Sequence, residues 1–433
     1  MFRDVVKKLI PQPVFNAIEP YGHWGEAIVA NFRYGFPARN LKIIGVTGTD
    51  GKTTTSTLIQ KMLQESGKKV AMMTTISIDL GDGPKPNPTR LTTIGAMALF
   101  KQLQQIRDAK PDWLILETTS HALAQRRVWG VPYSVAVMTN VTHEHLDYHK
   151  TFEKYRDAKL RLFKLTNSNR RGLRTGVANA DDPSGNLFAS AVKRPITYGK
   201  TVGELRASDI KTSPTASQFV AHYQERKLDI KVNLPGSFNV SNSLAAVGAG
   251  IAVGLTNQQI EQGIAALTSV EGRMNTVDEG QAFTVIVDYA HTPESFEKIF
   301  TEVKPLTKGR MLVVFGSAGR RDAAKRAIQG EVAGKFCDVV IATEEDDRDE
   351  DGEMILESIA GGAQKSGKIL DKDLFKVHDR TKAIEKVIDL AQPGDTVLLL
   401  GKGHEKSILG NTGKRPWDEV TEARKVLQSR AKS

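Results

Sequence analysis

Gly45-Val46-Thr47-Gly48-Thr49-Asp50-Gly51-Lys52-Thr53-Thr54 is the stretch from which the rest of the 433-residue chain is read. Leu41-Lys42-Ile43-Ile44 ahead of it is rich in β-formers, and Ser56 to Leu63 behind it carries apolar residues at helical spacing, so the glycines occupy a strand-to-helix turn. Glycines let backbone N–H groups approach an anion closely, and the helix N-terminus adds positive partial charge. A phosphate fits there, with Lys52 reaching terminal phosphates and the Thr53 hydroxyl a Mg²⁺ ion. The spacing departs from the usual phosphate loop, whose first glycine falls here on Val46, with Gly45 one residue early. The motif is therefore read together with its surroundings.

Composition bounds the surroundings. The chain is long enough for about three domains, and 40% hydrophobic with 25% charged residues is ordinary for a globular protein. Cys337 is the only cysteine, which excludes an intrachain disulfide and a zinc ribbon and fits a reducing cytoplasm. No apolar run approaches the ~20 residues of a membrane span, and the N-terminus lacks a signal-peptide pattern. A net charge of +10 admits an anionic partner. The basic residues are scattered without aromatic interleaving, so no nucleic-acid partner is expected.

Residues 1–40 place apolar pairs among Arg3, Lys7 and Lys8, interrupted by Pro11, Pro13 and Pro20, and read as a short docking segment. Its Trp24, Phe32, Arg33, Tyr34 and Phe36 suit packing on the next domain or peripheral contact with a membrane surface. From Leu41 onward short apolar strands alternate with helical stretches: Lys69 to Met73, the helix around Gly95 to Ile106, Trp113 to Leu116, Val135 to Met138. Alternation of this kind argues a parallel sheet covered by helices, with function at the carboxyl ends of the strands. Glu117 follows one such end and suits Mg²⁺ beside Thr53, or a helix cap. Thr139 to His149 follows another; His143, His145 and His149 invite a zinc reading, yet no cysteine lies nearby and no spacing rule fixes a fourth ligand. Lys159, in the helix Phe152 to Leu165, is locally an ordinary helical lysine.

A polar, β-rich passage from Ser208 to Val232 precedes Leu234 to Asn242, which opens an alanine-rich helix. Near residue 270 the alternation restarts, with strands at Thr284 to Val287, Met311 to Phe315, Val339 to Ala342 and Thr396 to Leu400. Thr343 to Asp351 is dense acid with one Arg348: either a solvated loop, or a pocket that attracts an amine while Arg348 forks a carboxylate. Gly401-Lys402-Gly403-His404-Glu405 follows a strand end nearby in sequence.

In this order the motifs resemble the Mur ligase family, from about residue 41 to 420. The resemblance implies an α/β protein: a short segment over residues 1–40 in place of the family's uridine-nucleotide domain, a central P-loop-type parallel-sheet ATPase domain over 41–270, and a Rossmann-like C-terminal domain over 271–433 that receives the amino acid. It implies a monomeric cytoplasmic ligase of cell-wall synthesis in which ATP phosphorylates a muramyl-peptide carboxylate and an amino acid's amine attacks the acyl phosphate. Gly48, Thr49, Gly51, Lys52, Thr53 and Thr54 match the ATP loop, with Asn239, Arg273 and Asp288 around adenine, γ-phosphate and ribose. Thr53, Glu117, His145 and Lys159 match the set around two Mg²⁺ ions, Lys159 being the lysine that family members carbamylate. Thr92, Thr93, Ser120 and Arg127 match the peptide site, and Arg321, Arg348, Gly401 and Glu405 the amino-acid site. Glu345-Asp346-Asp347-Arg348 stands where diaminopimelate-adding members read Asp-Asn-Pro-Arg, which implies a diamino acid, diaminopimelate before lysine. Glu144 stands where the family usually has Asp. A folate polyglutamate ligase on the same scaffold, and a P-loop ATPase or kinase without ligation, are the competing readings.

Overall fold

The computed structural model describes residues 12–75, 77–87, 94–213 and 215–430. Two compact units emerge: one runs to Lys211 and takes in Gln218–Val232 and Phe238–Leu267, the other is built mainly of Thr268–Ser433.

Among the described residues the first unit holds an eleven-stranded sheet. Its strands are β1 (Ile43–Thr47), β2 (Val70–Met73), β3 (Ser77–Asp79), β4 (Pro84–Pro86), β5 (Trp113–Glu117), β6 (Tyr133–Met138), β7 (Thr175–Asn179), β8 (Arg194–Gly199), β9 (Leu205–Thr212), β10 (Ser217–Tyr223) and β11 (Arg226–Val232). They lie in the order 11-10-9-8-7-6-1-5-2-3-4, with β1 parallel to both β5 and β6. The central strands are buried on both faces, which is why they read as continuous apolar runs. By contrast β11 alternates, burying Leu228, Ile230 and Val232 and exposing Lys227, Asp229 and Lys231, as a strand covered on one face does.

The N-terminal segment folds as helix α1 (Gln12–Arg33), which runs through Pro13 and Pro20 where the sequence suggests interruption. Pro13 lies in the first turn, whose N–H groups have no helical partner anyway, and Pro20 gives up one ladder bond. Packing offsets that loss. Ala27 and Ala30 are fully buried in the core shared with Leu99 and Phe100 of helix α3 (Ala96–Ala109), and Glu26 Oε1 accepts the Met97 N–H at the start of that helix at 3.2 Å. Helix α2 (Lys52–Glu65) follows the glycine loop directly. Helix α4 (Phe152–Ser168) is capped by the Thr151 hydroxyl, which accepts from Lys154 N at 3.3 Å. The alanine-rich helix α5 (Phe238–Ala252) is buried along most of its length.

In the second unit β12 (Asn275–Val277), β13 (Thr284–Asp288), β14 (Met311–Phe315), β15 (Val339–Ala342), β16 (Leu374–Lys376) and β17 (Thr396–Leu400) form a sheet in the order 12-13-17-14-15-16. All pairings are parallel except that of β12 with β13. A hairpin, β18 (Ser407–Gly410) with β19 (Gly413–Pro416), follows. Both units thus have the parallel α/β architecture expected from the alternation of strands and helices.

Candidate active site

Strand order places the glycine loop at the centre of the first sheet. β1 lies between β5 and β6, so the loop after Thr47 meets the ends of both neighbours. Thr139, just past β6, donates its hydroxyl to Asp50 O at 2.6 Å, and Asn140 Oδ1 accepts the N–H groups of Thr49 and Asp50 at 3.2 and 2.9 Å. A Cβ on Gly48 would fall 1.7 Å from Thr139 Oγ1, so only glycine fits against that neighbour. Gly51 adopts φ +78° as the residue before α2, and a Cβ there would meet Asn242 Oδ1 at 2.2 Å. No side chain caps α2, so its first N–H groups are left for a ligand. Lys52 Nζ folds back onto Gly48 O at 3.0 Å and Thr49 O at 2.7 Å, while Thr53 and Thr54 are buried beside it.

Lys159 joins the same loop from α4. Its Nζ donates to Gly48 O at 2.6 Å and lies 4.5 Å from the centre of the Tyr155 ring. Burial, with the Lys52 charge next to it, holds the Lys159 pKa well below the usual lysine value. Tyr155 shares a hydrogen bond of 2.9 Å with Thr49 Oγ1 and donates to Glu144 Oε2 at 3.4 Å. Glu144 in turn lies 3.7 Å from His145 Nε2. His145 caps a short helical turn at φ +55°, its ring 4.8 Å from that of His121.

His149 joins the same ring cluster, 5.3 Å from His121 and from Tyr155, while His143 packs elsewhere. His143 stacks on Phe152 at 4.8 Å, and His149 Nε2 shares a 3.0 Å hydrogen bond with buried Ser120 Oγ. Among the described residues no three His, Cys, Asp or Glu side chains converge on a common point. Glu117 is fully buried opposite Val46, where its Oε2 accepts Thr75 N and Thr75 Oγ1 at 3.1 and 3.0 Å. It is not a cap of the helix Ser120–Ala124, which Thr119 caps. Arg127 is half-buried just after that helix, its N–H on Ala122 O at 2.9 Å. Asn239 is buried on α5 and accepts from Asn242 Nδ2 at 3.0 Å, one side chain from Gly51. Thr92 and Thr93 lie outside the described residues.

In the second unit the strand ends carry the remaining candidates. Asp288, at the end of β13, accepts the N–H groups of Met274 and Ala290, each at 2.7 Å; burial raises its pKa although Arg273 opposes the shift. The Arg273 guanidinium lies 5.7 Å from the Tyr289 ring centre. The first half of the acidic loop is not solvated, since Glu344, Glu345 and Asp347 are buried, whereas Asp349 and Asp351 are exposed. Asp347 pairs with His378 at 2.7 Å, and fully buried Lys402 bridges Asp346 at 3.0 Å and Glu405 at 2.5 Å. Gly401, at φ +101°, leaves only 2.8 Å between a would-be Cβ and Glu345 Oε2. Burial pushes the Glu345 carboxyl up to about 7. Arg348, at φ +59°, donates its N–H to Leu409 O of β18 at 2.8 Å. Arg321 is exposed on the loop after β14 and shares no hydrogen bond with the others among the described residues.

This arrangement has counterparts. Residues 46–250 match the Mur ligase middle domain and residues 272–403 the Mur ligase glutamate ligase domain. A UDP-N-acetylmuramyl-tripeptide synthetase of Roseiflexus sp. (strain RS-1) is 42% identical over 430 residues, covering 96% of this chain and 84% of the relative. The chain belongs to the Mur ligase family. A UDP-N-acetylmuramoyl-L-alanyl-D-glutamate–2,6-diaminopimelate ligase of Geobacillus kaustophilus (strain HTA426) is 40% identical, with 89% and 78% of the two chains covered. A solved structure of a diaminopimelate ligase of the same description superposes with a TM-score of 0.70 at 30% identity, over 96% of this chain and 83% of that one. The ADP complex of Mycobacterium tuberculosis folylpolyglutamate synthase, at 15% identity and a TM-score of 0.66, shares the fold alone. As a Mur ligase the protein is an ATP-dependent amide ligase that forms ADP.

Several side chains of this Mur ligase were not singled out by the sequence. Tyr155 is four residues before Lys159, hence on the same helical face, and that spacing is a signal a closer reading would use. Asn140 lies in the strand-end stretch the sequence marks but without a role there, and Asn242 meets the loop from far along the chain with nothing local to mark it. Lys402 looks like a surface lysine until its burial between two acids is seen.

Proposed function

We propose that this Mur ligase joins an amino acid, a diamino acid with diaminopimelate before lysine, to the carboxylate of a muramyl-peptide acceptor in cell-wall precursor synthesis. The observation that carries the reading is the meeting of Lys52 and Lys159 on the Gly48 carbonyl beside an uncapped helix start, in a chain 42% identical to a tripeptide synthetase. ATP supplies the phosphoryl group that makes a carboxylate electrophilic. Gly48, Thr49, Gly51, Lys52, Thr53 and Thr54 hold its phosphates, and Asn239, Arg273 and Asp288 the remainder of the nucleotide. Lys52, freed from Gly48 O and Thr49 O, spreads the charge that builds on the transferring group.

Mg²⁺ fits the donor set, because a buried carboxylate at Glu117 and a hydroxyl at Thr53 are hard oxygen ligands, with His145 beside them in the same reading. When bound, two such ions neutralise phosphate charge. A neutral Lys159 amine can take up CO₂ to give a carbamate, a carboxylate-like group that suits the second ion. Ser120, Arg127, Thr92 and Thr93 hold the acceptor peptide in this reading. Arg348 and Arg321 take a carboxylate of the incoming amino acid, and Gly401 and Glu405 its ammonium end.

The reaction belongs in the cytoplasm, where ATP is supplied, and the enzyme acts as a monomer whose N-terminal segment contacts a membrane peripherally. Residues 1–40, 41–270 and 271–433 serve as docking segment, nucleotide domain and amino-acid domain. The test is mass spectrometry of the product after incubation with ATP, Mg²⁺, nucleotide-linked or lipid-linked muramyl acceptors and a panel of amino acids. Phosphate released only when acceptor and amine are both present supports ligation; release without them, or best activity with alanine, overturns the reading.

A further inference from the structure

Helix α1 has two apolar faces. The inner one is covered, with Ala27 and Ala30 fully buried and Asn31 Nδ2 donating to Trp129 O at 2.9 Å. The outer one carries Tyr21, Val29 and Phe32, exposed at 62%, 59% and 69%. At 3.6 residues per turn these three lie within about 80° of one another around the helix. Phe36, just past the helix end, extends the stripe, its ring meeting that of Phe32 edge to face at 5.1 Å. Apolar residues exposed singly are ordinary, but four large ones aligned along one side, with Arg126 over the Tyr21 ring at 5.7 Å, mark a surface that meets something.

A cleft of about 600 Å³ adjoins the stripe, lined by Phe36, Arg39, Leu41, Lys42, Pro132 and Arg171 among others, with no carboxylate in its wall. Phe36 belongs to both features. Arg39, Lys42 and Arg171 are exposed, as is Arg33 at the end of α1, and none of the four forms an ion pair among the described residues. Arg33 and Lys42 lie over the Tyr34 and Trp113 rings at 5.9 and 5.7 Å, and aromatic and aliphatic side chains flanked by cations without a carboxylate partner suit a boundary that is apolar inside and anionic outside. A second copy of this chain fits less well, since two such rims facing each other across a two-fold axis would set cation against cation. Among the described residues no helix is long and apolar enough to cross a membrane.

We propose that the outer face of α1, together with the Arg39, Lys42 and Arg171 cleft behind Phe36, docks on an anionic lipid surface. Tyr21, Val29, Phe32 and Phe36 enter the boundary between headgroups and acyl chains, and the cations meet lipid phosphates. The inference specifies the membrane contact proposed above but uses no step of the ligase reaction, so either can fail alone.

The experiment is sedimentation of the full chain with vesicles of phosphatidylcholine alone or with about one-third phosphatidylglycerol, at about 0.1 M salt. Binding to the anionic vesicles is expected, weakening when salt is raised. Tyr21→Ser with Phe32→Ser should lower the partition coefficient at least about tenfold, and Arg39→Gln with Lys42→Gln by about fivefold for each charge removed. Circular dichroism melts of both pairs check that the fold is kept; these side chains are exposed, so it should be. Absence of wild-type binding, equal binding by the variants, or a wild-type dimer in light scattering that Phe32→Ser converts to monomer would overturn the proposal. Product formation in solution, assayed in parallel, reports on the ligase reading separately.

Discussion

Lys159 Nζ donates to Gly48 O at 2.6 Å, across 111 residues of sequence, and shares that carbonyl with Lys52. Burial, and then repulsion by the neighbouring Lys52 charge, lowers the pKa of Lys159. A lysine with a lowered pKa inside a phosphate site loses its proton more readily than a surface lysine does.

Lys159→Ala should lower ligation by on the order of 10²–10³-fold, with partial recovery when a small carboxylate such as acetate is added. Steady-state rates with and without acetate check this, and an undiminished variant removes Lys159 from the reaction. Lys159→Met should behave differently in stability. The wild-type pKa is depressed on folding, so stability rises with pH up to the free lysine value near 10.5 and falls as pH drops towards the folded value. The Met variant should therefore be more stable than wild type at pH 7, and the gain should shrink as pH rises.

Gly51→Ala should raise the KM for ATP by about tenfold or more. The substitution strains a φ of +78° and drives a methyl against Asn242. Adding Asn242→Ala clears the clash but not the strain, so the double variant should recover only part of the loss. Full recovery would mean that backbone conformation at Gly51 does not matter.

Glu345 supplies a pH test. Its folded pKa, about 7, lies above the ordinary 4.5, so the stability tied to its protonated form is complete below pH 4.5 and lost as pH rises to about 7. The loss should be on the order of 2–3 kcal/mol for the second unit. Hydrogen exchange of β15 and β17 amides at pH 5 and pH 7 measures it, and Glu345→Gln should remove the difference between the two.

Arg380 and Glu419 are both fully buried, joined through contacts of 2.7–3.1 Å from two guanidinium nitrogens, with Arg380 Nη2 also on Leu400 O at 2.7 Å. Arg380→Ala should destabilise the second unit by about 3–5 kcal/mol, since it leaves the buried Glu419 charge with no cation and only the Trp417 Nε1–H as donor. Denaturant unfolding midpoints check this; a variant within 1 kcal/mol of wild type, about the limit set by measurement error, would show that Glu419 finds water or another donor.

The parallel sheets were legible in the sequence because strands buried on both faces leave unbroken apolar runs such as Trp113 to Leu116. The glycine loop was legible for a similar reason, since glycine before a lysine at a helix start has few structural uses. α1 was not, because two prolines weigh locally while the packing of Ala27 and Ala30 that overrides them is tertiary. Lys159 and Lys402 carry no local mark either, as burial and the partners that reshape a lysine come from distant segments. The acidic run from Glu344 left two readings open, and the contacts of Arg380, His378 and Lys402, which take its first half out of solvent, come from distant segments.

The docking of α1 has a practical corollary for anyone trimming this chain. The conserved-domain match starts at residue 46, yet Ala27, Ala30 and Ala38 sit in the same core as Ile43, Phe100 and Tyr133, and Glu26 supplies the acceptor at the head of α3. A fragment cut at the family boundary would leave that core with an open wall on the very sheet that carries the glycine loop. The middle-domain match and the packed core begin at different residues here.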